Sequence, residues 1–244
     1  QRSLALGEAT NDQRHIAMIR KKLIYAQNYT RSLDLLDVDD QIDNMTGVDY
    51  RRAGKQFMQR GDHEAALKHF LIAINLGIET AQIGRLHSQA GEAAMRLENY
   101  LLAAEQFRQA IDSGEATNFT YTNLAWSLYQ LQEDKAVIES NFLQALTLDK
   151  KNPWTYSWYS TLLKESGRLA EAEQAARKAI ALRKDNAIFL NNLALIFEAY
   201  GDQGHLLEAE RYFLMAIAYA KPDFPYPQEY LQRVRTMLGQ NETT

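Results

Sequence analysis

The sequence predicts an all-α chain of helix pairs stacked in order, an open array rather than a globule around one core. Three observations carry that prediction. The chain repeats itself about every 34 residues, and a fixed repeat length of this size marks units that lean only on their neighbours. Gly and Pro are scarce, 12 and 4 in 244 residues, among long runs of Ala, Leu, Glu, Gln, Lys and Arg that favour helix. No stretch alternates apolar and polar residues between turn signals, so essentially no sheet is expected.

The repeat is legible in its punctuation. Gly61 to Ala66 is followed by Phe70 and Ala73; Asn99 to Ala103 by Phe107 and Ala110; Gly167 to Ala172 by Ala176 and Ala179; Leu206 to Ala209 by Phe213 and Ala216. A small residue, a large one four later and Ala three after that mark one face of a helix. With the small residue set at position 20, unit 47–80 places Tyr50 at 4, Gly54 at 8, Phe57 at 11, Gly61 at 15, Ala66 at 20, Phe70 at 24 and Ala73 at 27. Unit 84–117 places Ala90 at 7, Gly91 at 8, Tyr100 at 17, Ala103 at 20, Phe107 at 24 and Ala110 at 27. Unit 153–186 places Tyr156 at 4, Tyr159 at 7, Ser160 at 8, Leu163 at 11, Gly167 at 15, Ala172 at 20 and Ala179 at 27.

Two units need insertions. In 118–152, Tyr121, Leu124, Ala125 and Leu128 form the first helix, and one extra residue near Gln130–Lys135 brings Phe142 and Ala145 to 24 and 27. In 187–223, Leu190, Leu193, Ala194, Phe197 and Gly201 come first, and about three extra residues, Asp202–His205, are expected to lengthen the inner turn before Leu206.

These residues resemble the tetratricopeptide repeat pattern: aromatic or Leu at 4, small at 8 and 20, aromatic at 11 and 24, Ala at 27. Small residues at 8 and 20 let the two helices of a unit touch, and the large ones at 4, 7, 11 and 24 are expected to fill the space between units. The family's usual Pro at 32 is missing. The resemblance covers about 47–223. It implies a right-handed α-α superhelix of five to six helix-turn-helix repeats.

The ends are less regular. Residues 1–46 read as a helical segment with a degenerate repeat at 13–46, where Leu23, Tyr29, Ser32 and Leu36 keep register but Arg20 and Asp39 do not. Asp34 to Asp43 reads as a solvated turn. After the array, Pro222, Pro225 and Pro227 break the chain. Segment 224–244 then regains helical spacing, with Tyr230, Val234, Met237 and Leu238 expected on one side as a capping helix ended by Gly239.

Composition narrows the function. A net charge of −4 argues against non-specific nucleic-acid binding, and no apolar run approaches the roughly 20 residues of a membrane span. Without Cys there is no disulfide or thiolate chemistry. The five His are scattered, and His63 and His69 are not spaced four apart as a zincin helix requires. No phosphate loop, nucleophile elbow or carboxylate pair is present. The expectation is therefore no cofactor, no metal and no catalysis. Asn28, Asn44, Asn118 and Asn241 head Asn-x-Ser/Thr triplets, which matter only in a glycosylating pathway.

In tetratricopeptide arrays the first helix of each unit lines a groove, chiefly with positions 2, 5, 6, 9, 12 and 13. Carried onto this sequence, the resemblance implies Arg51, Arg52 and Lys55, then Arg85, Gln89 and Arg96, then Phe119, Asn123, Trp126 and Tyr129. Trp154, Trp158 and Thr161 follow, and last Asn191, Asn192, Leu195 and Glu198. Asn123 and Asn192, with Asn191 beside the latter, offer both donor and acceptor to a peptide backbone. The aromatics offer large contact area at low entropy cost, with Trp126 and Trp158 read as groove and Trp154 as packing or rim. The basic end suits an acidic flank, although Phe119 and Asn123 stand where the carboxylate clamp of chaperone-binding relatives needs bases. The expected partner is another protein, as an extended peptide or a helix. The alternative is oligomerisation, the array pairing with itself through Ile16–Leu36, or service as a sensor or assembly module of a larger multi-protein or multi-domain system.

Overall fold

A computed structural model of the chain describes residues 45–77, 79–220 and 226–239. The degenerate repeat, the Asp-rich turn, the Ile16–Leu36 contact, Pro222 and Pro225 lie outside the described residues, apart from the last two positions of the repeat.

Among the described residues there are α-helices and no strand. They are α1 Gly47–Arg60, α2 His63–Leu76, α3 Thr80–Arg96, α4 Tyr100–Asp112, α5 Asn118–Gln130, α6 Lys135–Leu148, α7 Pro153–Glu165, α8 Leu169–Leu182, α9 Ala187–Tyr200, α10 Gln203–Tyr219 and α11 Tyr226–Met237. Local chemistry sets most of the starts. Thr46 and Thr117 close capping boxes on α1 and α5, and the side chains of Asp62, Asn99, Asn152, Asn186 and Asp202 accept first-turn N–H groups of α2, α4, α7, α9 and α10. Asp134 does the same for α6. Gly61 and Gly201 end α1 and α9 in the left-handed conformation, at φ 79 and 78.

Helix α3 begins at Thr80, ahead of position 1 of its unit; Glu79 precedes it without a side-chain cap, so the sequence carries no start signal there. Two expectations are corrected. The residues Asp202–His205 do not lengthen a turn: Asp202 caps α10, and Gln203 onward adds a helical turn to it. In α11, Met237 is half exposed, whereas Pro227, Leu231 and Val234 are buried. Alternating steps of four and three residues keep those three on one stripe and continue it to Leu238, which is half-buried, so Met237 lies off it.

The chain divides within α6 into two compact bodies, one ending at Ile138 and one beginning at Glu139. In the N-terminal body each helix packs on the next from α1 to α5. Phe70 and Phe107 are buried against Gly54 and Gly91, so close that a Cβ on Gly54 would stand 2.6 Å from the Phe70 ring and one on Gly91 3.0 Å from Phe107. Burial of each such ring stabilises by about 1.5–3 kcal/mol. Tyr50, Ala66, Ala73, Leu86, Ala90 and Ala93 complete the core between α1, α2 and α3. Ile138 is buried at the small position where other units have Ala.

In the C-terminal body α7 packs on α8, α8 on α9, α9 on α10 and α10 on α11. Position 24 of the α7–α8 pair is Ala176 and position 8 is Ser160, both buried. Tyr159, Leu162 and Leu163 of the same helix as Ser160 are buried as well. Tyr159 also lies 5.8 Å from Phe142, centroid to centroid. Its hydroxyl donates to Glu139 (2.6 Å), which accepts from Arg168 at 2.7 and 2.9 Å; Arg168 in turn clamps Glu171.

Candidate functional site

First helices of successive pairs touch one another in each body: α3 meets α5, and α7 meets α9, which meets α11. Side chains join α1 to α3 and α7 to α9 as well. Arg51 donates through Nε to the Gln89 oxygen (3.0 Å) and through Nη1 to Gln82. Asn192 Nδ2 donates to Ser157 Oγ at 2.9 Å. Each body therefore presents a face built from first helices, and the candidate side chains lie on these helices.

On the N-terminal body, Arg52 is exposed beside Asp49 (3.1 Å), and Arg85 is exposed 3.7 Å from Glu115. Lys55 is exposed with no hydrogen bond or ion pair to another described residue. Burial, then the charges of Arg51 and Arg85, push its ammonium below the usual lysine range. Arg51 is lowered by burial and by Arg85, and Glu115 offsets part of this. Trp126 and Tyr129 of α5 are half-buried and stack on each other, centroids 5.0 Å apart and planes at 19°.

Asn123 is placed differently from a groove-facing amide. It is 4% exposed, and its Nδ2 donates to the Phe119 carbonyl of its own helix at 2.8 Å. The i−4 backbone bond that draws it in is invisible in a repeat pattern.

On the C-terminal body, Trp154 meets Phe189 edge-on at 4.9 Å, and Phe189 is fully buried, so Trp154 is a packing residue. Trp158 is half-buried beside it, with centroids 5.6 Å apart. Asn192 is half-buried; Asn191 is 5% exposed and its Oδ1 has no hydrogen-bond partner. Glu198 is held by Arg233 of α11.

A cavity of about 310 Å³ opens between α1, α2 and α3. Lys55, Gln89 and Arg96 line it, all groove candidates. His63 lines it too, and its Nδ1 is buried without a partner. Sequence reasoning met His63 only as half of a failed metal motif. The signal that existed was its position, 17 in the repeat, which faces the neighbouring pair. Among the described residues no three His, Asp or Glu side chains gather as a metal site, and no helix is long and apolar enough to cross a membrane.

No family model matches the sequence, and no curated protein matches it. Solved structures do match. A thermophilic tetratricopeptide repeat protein of Thermus thermophilus aligns with TM-score 0.60 at 19% identity, over 79% of this chain and 99% of its own. YrrB, described as a tetratricopeptide repeat protein with an unusual peptide-binding site, aligns with TM-score 0.56 at 17% identity, over 75% and 91%. The APC/C hetero-tetramer Cut9-Hcn1 aligns with TM-score 0.66 at 18% identity, over 86% of this chain but 39% of the longer one. At such identities the likeness concerns the path of the backbone, and together with the helix pairs and their small-large packing it establishes that this chain has the tetratricopeptide repeat fold.

Proposed function

We propose that the chain is a non-catalytic scaffold that holds another protein, as an extended peptide or a helix, against its first helices. One observation carries the reading: in each body, half-buried aromatic or amide side chains lie on the first helices. Trp126 stacks with Tyr129 on α5, and Trp158 and Asn192 lie on the touching helices α7 and α9. Amphipathic side chains of this kind, part covered and part wet, supply most of the energy at protein interfaces. The solved relatives support the reading, since YrrB is described by its peptide-binding site and Cut9-Hcn1 as an assembly.

Asn192 would grip a ligand backbone with its carbonyl oxygen while Nδ2 stays on Ser157. Asn123 would have to release Phe119 to do so, and Asn191 offers its buried oxygen. Arg51, Arg52, Lys55 and Arg85 would receive an acidic flank. Affinity near micromolar, about −8 kcal/mol, is expected. The full chain serves as bait for displayed random peptides. Trp126→Ala, Trp158→Ala and Asn192→Ala should each weaken the enriched peptides about tenfold or more. Failure to enrich any peptide, or unchanged binding by all three variants, overturns the reading.

A second reading, self-association, is favoured by α10, where Leu207, Leu214, Met215 and Tyr219 are exposed. Sedimentation at several concentrations tests it; a strict monomer at all of them ends it.

A further inference from the structure

We propose that the cavity between α1, α2 and α3 receives a carboxylate on a short apolar stem, the side chain of a glutamate in the bound peptide. The inference rests on the scaffold reading and names the chemistry of one of its contacts.

The floor is apolar. Phe70, itself 1% exposed, and Met58 line the cavity and suit methylene groups. Two cations, Lys55 and Arg96, line it with one anion, Glu92, which leaves one positive charge over. That balance fits a single carboxylate better than a phosphate dianion. Arg96 is only loosely engaged by Glu92, at 3.8 Å. The crowding of Lys55 by Arg51 and Arg85 gives an excess positive field that a nearby anion relieves.

The neutral groups agree. The oxygen of Gln89 accepts from Arg51 Nε, so the group Gln89 has left to offer is its NH2, a donor. Gln59 lines the wall opposite, on α1. His63 keeps a buried Nδ1 without a partner. A buried polar atom left unpaired carries a cost that a hydrogen bond to a ligand would relieve. The repeat itself does not require a histidine there, because the corresponding position of the next pair is Tyr100.

Three probes separate the possibilities by NMR on the ¹⁵N-labelled full chain: N-acetylglutamate methylamide, its glutamine counterpart, and N-acetylleucine, which carries only a terminal carboxylate. The glutamate probe should shift the Gln89 side-chain amide and the His63 resonances saturably, with millimolar affinity. The glutamine probe should bind about tenfold more weakly or worse. Lys55→Gln combined with Arg96→Gln, both exposed, should abolish the difference. His63→Phe should weaken the glutamate probe while raising Tm, a pairing that a purely structural histidine would not give.

Equal binding of the glutamate and glutamine probes overturns the proposal, as does no saturable shift up to about 50 mM. Equal or tighter binding of N-acetylleucine replaces the side chain by a chain terminus and overturns the glutamate assignment. Trp158→Ala should leave this titration unchanged while reducing capture of displayed peptides. Failure of the cavity therefore leaves the scaffold reading standing, whereas failure of the unaltered chain to enrich any displayed peptide, with an intact glutamate response, sinks the scaffold reading.

Discussion

The α1–α4 helices and the α7–α8 pair fill the same repeat positions with opposite volumes. In the former, Gly54 and Gly91 make room for Phe70 and Phe107. In the latter, the same positions hold the buried small residues Ser160 and Ala176, and Tyr159, Leu162 and Leu163 on α7 are buried too. A pair can therefore be closed without seating a ring on a glycine. The two bodies also handle charge differently. In the C-terminal body Arg168, Arg177, Arg233 and Arg235 are each held by a carboxylate. In the N-terminal body Arg51 bonds neutral glutamines, and Lys55 is surrounded by like charge. Arg52, Arg85 and Arg96 of the N-terminal body meet carboxylates as well, so the difference lies at Arg51 and Lys55.

The largest effect expected is at the aromatic itself. Phe107→Ala empties a fully buried site and should cost about 3–5 kcal/mol by chemical denaturation. Adding Gly91→Ser recreates the Ser/Ala pairing of α7–α8 and should recover about 1 kcal/mol, from helix propensity and partial filling. No recovery would mean that Tyr159 and its neighbours, not the small pair, make α7–α8 viable.

Next is the glycine floor. Ala is the better helix former by about 0.5–1 kcal/mol, so Gly54→Ala starts with an advantage. The 2.6 Å approach to a ring that cannot swing away should outweigh it, for a net loss of about 1–2 kcal/mol. Gly91→Ala, at 3.0 Å, should lose less. Equal losses would show that the two crossings are not distinguished by their spacing.

This packing code was legible in the sequence because volume at fixed spacing is written in residue type. Gly, Ala and Phe at positions 8, 20, 24 and 27 announce the helix pairs without further help. The start of α3 was not legible, because Glu79 makes no cap. Nor was the length of α10, since Gln203 and Gly204 look like turn residues until Asp202 caps them. The candidate face was legible only as positions. Whether Asn123 points out or folds onto Phe119, and whether Arg51 meets an acid or Gln89, depends on contacts across helices that no spacing encodes.

The charge comparison is sharpened by pH. Burial first, then the bond to Glu139, pushes the Tyr159 phenol up to about 12 from an ordinary 10.0. The unfolded chain ionises this group first. Its contribution to stability is therefore whole below pH 10 and is lost as pH rises towards 12. Tyr159→Phe should remove that part of the alkaline decline, read by denaturation at pH 9 and 11. Glu139 is held below the usual carboxylate range by Tyr159 and, against burial, by Arg168. Its contribution is present above the ordinary value of 4.5 and lost as pH falls. Glu139→Gln should cost about 1 kcal/mol at neutral pH, a modest figure because the network is partly open to water.

The smallest effect is at the helix starts, where the two ways of using charge can be exchanged. Helix α2 begins with Asp62, whose side chain accepts from the Ala65 N–H at 3.0 Å, and Asp62→Ala should cost about 1 kcal/mol. Helix α8 begins with Arg168, which makes no cap and instead bridges Glu139 and Glu171. Arg168→Asn would supply the missing cap while releasing the bridge. Both groups it releases keep an exit: Glu139 retains Tyr159, and Glu171, in the first turn of α8, stays favoured there by the helix dipole. The loss from Arg168→Asn should therefore be smaller than that from Asp62→Ala, and it should shrink further in salt. A larger loss, insensitive to salt, would mean that the Arg168 bridge holds α6 and α8 in register, and that the clamped cations of the C-terminal body are structural rather than merely neutralised.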